Sequence, residues 1–399
     1  MTVKNKVQWQ KRQVQKQVRR AKRKKNQAQN RHMSDAARLY RAVLSNLVQF
    51  LPAMQEENCL TLAMMITGIL RSKSGQLSKM VRAVQYGPKK ESLVTRFQRF
   101  VRNPKIEVEL TYTPLVSLVL AALSPQQVVL MVDSTQLGGK CLCLMVSVYY
   151  KSRALPLAWL VYKGKKGHSS QQIQLSLFKA VKALLPATSQ VILVGDGEFD
   201  GSQVITWFET ETNWHFVCRT DKTNLIWSEN QWISLEQLPL EAGQETFLTQ
   251  VLLTQAHQVG PVNILAVWNE AKNCHWFFVT NFQTAQAAKK WYAKRFTTET
   301  LFSDFKGRGF HLDDTRLWQP ERLSRLLLAG SMAYVFSIVL GVEAITSGVF
   351  RQLVRTDAFF HSLFQLGLIY LDHILNEGLP FPSLTSLPPH SDFEHRVIS

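Results

Sequence analysis

VVLMVDST, Val128 to Thr135, is the stretch on which the fold turns. Five apolar residues run straight into Asp133. A short, largely β-branched run of this kind reads as a strand buried on both faces, and such strands belong to sheets covered by helices. A buried strand has little reason to end in an acid unless that acid caps a turn or binds something. In open α/β sheets, ligand and catalytic groups gather at the carboxyl ends of strands.

Working outward, CLCLMVSVYY (141–150) and LPLAWLVYK (155–163) read as two more strands, with Gly138-Gly139 as a hairpin turn. A helix is expected over SSQQIQLSLFKAVKALL (169–185), after the basic loop from Lys163 to His168. VILVGDGEFDG (191–201) repeats the opening pattern: an apolar strand that ends in Asp196. WHFVCRT (214–220) adds a further strand. Strand, hairpin, strand, helix, strand, helix, strand describes an α/β sheet with an antiparallel start. Residues 222–283 alternate polar and apolar residues and read as a mostly β insertion. Glu198 and Asp200 beside Asp196, and Asp313 and Asp314 further on, read as turn or cap residues.

After the insertion comes YAKRFTTETLFSDFK, Tyr292 to Lys306. Spacings of three, four and seven place Tyr292, Arg295, Glu299 and Lys306 on one face of a helix, with Trp291, Phe296, Leu301, Phe302 and Phe305 free to pack elsewhere. A lone acid after an apolar run is more often a turn cap. Two strand-end acids followed by a Glu on a polar helix face point instead to a site. Three converging carboxylates repel unless cations neutralise them. Oxygen-only ligands select Mg²⁺ or Mn²⁺, and a pair of such ions activates oxygen nucleophiles at phosphorus.

The charge agrees with a polyanionic partner: the net charge is +18 and the pI about 9.8. Residues 1–34 carry 12 Lys/Arg and no acid, which leaves 35 basic against 29 acidic residues in the rest. The N-terminus therefore reads as a basic arm for DNA, salt-sensitive and largely blind to sequence. Residues 34–103 read as short helices, capped first at Ser34-Asp35 and turned at Gly87-Pro88, with Arg96, Arg99 and Arg102 forming a basic stripe. Such a domain either recognises DNA ends or caps the next domain. Five scattered cysteines read as reduced core thiols in the cytosol. Leu326 to Val342, 17 residues without a charge, reads as a buried core helix rather than a membrane span. The Pro-rich last twenty residues read as a loose tail.

The whole resembles a DDE transposase of bacterial insertion sequences, in the insertion-sequence family four branch. Tyr292, Arg295, Glu299 and Lys306 match that branch's Y-R-E-K signature at all its spacings, and VDST and GDGEFDG resemble its two Asp motifs. The intervals are 63 residues from Asp133 to Asp196 and 103 from Asp196 to Glu299. The second, long interval suits a catalytic core split before the Glu helix.

The resemblance implies an RNase H-like α/β core interrupted by a mostly β insertion, with an N-terminal helical domain and C-terminal helices. The boundaries expected are a basic arm (1–33), a helical DNA-binding domain (34–105), the core (106–221 and 284–345) around the insertion (222–283), and a C-terminal helical region and tail (346–399). It implies that Asp133, Asp196 and Glu299 are catalytic metal ligands for two Mg²⁺ ions, with Mn²⁺ as a substitute. Tyr292, Arg295 and Lys306 then hold DNA, and Arg316 is a further expected DNA contact. Trp276, with Trp268 as the fallback, is the candidate to stack on a base flipped during hairpin formation. The implied activity is cut-and-paste transposition: terminal inverted repeats are bound, cut and joined to target DNA by a homodimer in a synaptic complex. The expected location is the cytoplasm, at the nucleoid and not at a membrane. The alternatives are a nuclease of the same fold that cuts without joining, and a catalytically silent DNA-binding descendant.

Overall fold

The computed structural model describes residues 33–84, 90–123, 127–165, 167, 169–356 and 361–390. The basic arm (1–32), the Gly87-Pro88 turn and His168 lie outside the described residues.

The N-terminal half is helical: α1 (Asp35–Phe50), α2 (Glu56–Ser72), α3 (Leu77–Val84), α4 (Lys90–Arg102) and α5 (Val108–Ala121). Ser34 caps α1, its hydroxyl accepting from the Ala37 N–H at 3.3 Å. The stripe on α4 is only partly free, because the Arg96 Nε donates to Thr61 Oγ1 on α2 at 2.7 Å. Helix α5 carries no legible helix pattern. Pro114 sits inside it and denies a partner to the carbonyl of Leu110, which is exposed.

The sheet begins with β1 (Gln127–Leu137), β2 (Cys141–Tyr150) and β3 (Arg153–Lys163), paired antiparallel in sequence. Helix α6 (Gln171–Leu184) leads to β4 (Gln190–Gly195), and α7 (Ser202–Glu211) leads to β5 (His215–Thr220). β4 pairs parallel to β1, and β5 parallel to β4. The order β3-β2-β1-β4-β5, with only the first three antiparallel, is an RNase H-like core. The insertion supplies β6 (Leu225–Ser228), β7 (Gln231–Ser234), β8 (Glu245–Leu253), β9 (Val259–Asn269) and β10 (Cys274–Thr280). It does not fold as a separate sheet. β10 pairs antiparallel with β5, so all ten strands form one sheet in the order β3-β2-β1-β4-β5-β10-β9-β8-β6-β7. The free edge of β5 is thereby covered, which removes a template for unwanted pairing. Cys274, at the start of β10, is exposed, unlike the four buried thiols.

The stretch from Tyr292 to Lys306 is not one continuous helix. It comprises the end of α8 (Ala285–Tyr292), a 3₁₀ turn at Ala293–Arg295, and α9 (Phe296–Phe305), with Lys306 as its cap. A 3₁₀ turn brings residues three apart into line, so Tyr292 stays beside Arg295, with the guanidinium 5.7 Å from the centre of its ring.

The apolar run lies within α10 (Pro320–Thr346), whose most apolar window is 94% buried. It packs on β3, α2, α4 and α5, with α11 (Phe350–Leu353) and α12 (Leu363–Asn376) following. α10 and α12 approach backbone to backbone: a Cβ on Gly367 would strike the Ser337 carbonyl. As far as His390 the tail is docked rather than loose. Leu384 is buried, the Tyr150 hydroxyl donates to the Pro388 carbonyl at 2.7 Å, and the Lys151 ammonium donates to that of Pro389 at 2.7 Å.

Candidate active site

β1 outruns β4, and the acids lie where the two part. Met131 pairs with Val194, and the same offset two residues on sets Asp133 beside Asp196, just past the end of β4. Neighbouring strands lie roughly 4.8 Å apart. Asp133 is buried, Asp196 half-buried, and the Glu299 side chain 55% exposed.

Alternation along β1 sends its polar residues to two sides. Asp133 and Thr135 face α9. There the Thr298 hydroxyl donates to Asp133 Oδ2 at 3.2 Å, and the Lys306 ammonium donates to Thr135 Oγ1 at 2.5 Å. Ser134 points the other way, and its hydroxyl donates to Glu198 Oε2 at 2.7 Å. Glu198 also accepts from the Ser169 N–H at 2.7 Å, and its own N–H donates to Asp196 Oδ1 at 3.0 Å. The residue read as a turn acid therefore ties both strand ends to the loop after β3. Thr298 was legible only as Arg295's neighbour at three-residue spacing. Nothing in the local sequence separates Glu198 from an ordinary turn acid.

Arg295 is the centre of the site. Its guanidinium lies 3.5 Å from Asp133 Oδ2 and 2.8 Å from Glu299 Oε1. Burial works against its charge, but Tyr292, Asp133, Glu299 and Asp196 around it outweigh that and raise its pKa above the ordinary value. Asp133 and Glu299 thus pair with one cation, and Asp196 acts on it only through its field. Tyr292 is buried, edge-on to Phe278 with ring centres 4.5 Å apart. Burial raises its phenol pKa against the pull of Arg295 and Arg219.

The acids fit a divalent cation by their chemistry, since hard carboxylate oxygens suit Mg²⁺ and Mn²⁺. Among the described residues no three His, Cys, Asp or Glu side chains are grouped closely enough to hold a metal as they stand. The Arg295 guanidinium lies between Asp133 and Glu299.

Trp276 and Trp268 line one apolar groove of about 180 Å³ with Tyr292 and Phe296. The Arg219 guanidinium lies 4.3 Å from the centre of the Trp276 ring and covers one of its faces. Arg316 is exposed in the loop before α10.

Residues 125–336 match the family described as the transposase DDE domain, a span that encloses all three acids. The chain is similar to the piggyBac transposase in a synaptic complex with hairpin DNA, at 11% identity, covering 88% of this chain and 83% of that one, with a TM-score of 0.44. It is also similar to the Argonaute of Marinitoga piezophila in complex with 5′-OH guide RNA and target DNA, at 10% identity, covering 62% and 37%, with a TM-score of 0.22. No curated protein matches.

Proposed function

The chain belongs to the transposase DDE domain family, and on that premise we propose that it is a cut-and-paste transposase of the insertion-sequence family four branch. Its substrates are the terminal inverted repeats of its own element and, later, target DNA. The observation that carries the reading is Arg295 paired with both Asp133 and Glu299, with Asp196 on the neighbouring strand end.

In this reading Asp133, Asp196 and Glu299 ligate two Mg²⁺ ions, and Mn²⁺ can replace them. When bound, such ions would supply Lewis acidity for a water or 3′-hydroxyl nucleophile and for charge at phosphorus. The protein's own groups prepare the site. The Ser134 N–H and the Thr298 hydroxyl hold Asp133 in place, donating at 2.7 and 3.2 Å. Pre-oriented ligands need little rearrangement on binding. Glu299, exposed and paired with Arg295, would turn from it to the ions. Arg295 and Lys306 take DNA phosphates, for which a guanidinium offers charge-assisted, forked hydrogen bonds. Tyr292, with its ring buried, acts from behind them as a support for Arg295, 5.7 Å from the ring centre. Arg316 extends the phosphate-binding rim.

Excision runs through a hairpin end, and Trp276, or Trp268 beside it, stacks on the base this extrudes. The working form is a homodimer that synapses two ends. The test is a joining assay with precut ends of its element and a plasmid target in Mg²⁺. Transfer of the 3′-OH ends into the plasmid is expected. Cleavage of uncut ends without any joining would make the protein a nuclease instead.

A further inference from the structure

Trp318 is the most exposed large apolar side chain among the described residues, at 69%. An indole held in water forgoes a large burial gain, so an exposed and ordered one invites an explanation. Its backbone is anchored. The Cys141 thiol donates to the Trp318 carbonyl at 3.3 Å. The turn between β1 and β2 is its seat: a Cβ on Gly139 would lie 3.6 Å from Trp318 Cβ, and one on Gly138 would strike the Leu317 carbonyl at 2.5 Å. Gly138 also has φ +60°, where any side chain is strained. The glycine pair thus makes the turn and also leaves room for the loop that presents the indole.

Three cations lie around it, with Glu321, three residues on, and Asp313 and Asp314 as the nearby acids. Lys140 follows Gly139 in the same turn, Lys163 lies directly across from Cys141, and Arg316 is two residues before the indole; all three are exposed. The location is equally specific. β1 carries Asp133 and then continues to this turn at Leu137, while Lys306 is tied to Thr135 between them. The indole therefore stands on the same rim as the acids, further out along one strand.

We propose that Trp318 is a DNA-binding residue that stacks on an unpaired base outside the catalytic acids, with Lys140, Lys163 and Arg316 holding the adjoining phosphates. The inference rests on the reading of the chain as a DNA-processing enzyme. Aromatic stacking is indifferent to base identity and requires the base to be out of its pair. The site consequently prefers single-stranded or distorted DNA to intact duplex.

The test is fluorescence anisotropy with the full chain and two labelled probes of mixed sequence, a 20-nucleotide single strand and a 20-base-pair duplex. Trp318→Ala should weaken single-strand binding roughly ten-fold and duplex binding less than two-fold. Trp318→Phe should restore most of the loss. The salt slope should not change, because no charge is removed. Because Trp318 is exposed, an unchanged melting temperature should accompany the loss. Equal losses on both probes, or none on either, would overturn the proposal. So would a loss of self-association in Trp318→Ala with single-strand affinity intact, which would mark a subunit interface. Failure of the wild-type chain to bind either probe would instead overturn the underlying reading.

Discussion

At the scale of single residues, Arg295 does the most to organise the site. Without a metal it neutralises carboxylates that would otherwise repel one another, lying 3.5 Å from Asp133 and 2.8 Å from Glu299. On the proposed reading it therefore competes with the metal ion those carboxylates would ligate. Arg295→Gln keeps most of the side chain and removes the charge. We expect DNA-free Arg295→Gln protein to bind Mn²⁺ roughly five-fold more tightly by calorimetry, since losing a neighbouring positive charge favours a second one. Unchanged or weaker binding would show that the guanidinium does not hold the cation's place. The spacing of Arg295 and Glu299 was legible in the sequence because it is local to one turn of chain. The burial of Tyr292 was not, because its partner Phe278 comes from the insertion and nothing near Tyr292 announces it. Glu198 was hidden for a similar reason: its role lies in Ser134 and Ser169, strands away.

At the scale of elements, α9 is fastened at both ends. Thr298 meets Asp133 near its start, and near its end Asp304 sits buried with Arg153 of β3 at 3.7 Å. Burial, only partly offset by Arg153, pushes the Asp304 carboxyl up to about 6 from an ordinary 3.8. The folded chain thus holds this proton more tightly than the unfolded chain. Its contribution to stability is present in full below the ordinary value and is lost as pH rises through about 6. The loss amounts to at most about 3 kcal/mol. Denaturant titrations should show stability falling between pH 4 and pH 6.5, with Asp304→Asn flattening that part of the profile. The same slope in Asp304→Asn would assign it to other groups. The strands and most helices were legible from apolar runs and caps such as Ser34. The break between α8 and α9 was not, because apolar periodicity cannot distinguish a 3₁₀ turn from a continuous helix. Helix α5 was hidden by Pro114.

At the scale of the whole molecule, one sheet of ten strands joins the core to the insertion, and the groove lined by Trp268 and Trp276 also takes in Tyr292 and Phe296, the residues that flank Arg295. An insertion was legible from the change in composition after residue 221. Its pairing through β10 onto β5 was not, because register between distant strands depends on tertiary contacts. Charge distribution is also a property of the whole chain. Deleting residues 1–32 removes 12 Lys/Arg. Each phosphate contact contributes about 0.9 to the slope of log affinity against log salt on duplex DNA. The truncated protein should lose several units of that slope between 50 and 200 mM salt, and an unchanged slope would mean that the arm does not touch DNA. The central claim is that Asp133, Asp196 and Glu299 form one catalytic centre, and the most direct test is strand cleavage by Glu299→Ala protein in Mg²⁺ on DNA carrying the element's ends. The account predicts no cleavage while binding to the ends persists; full cleavage by Glu299→Ala would contradict it.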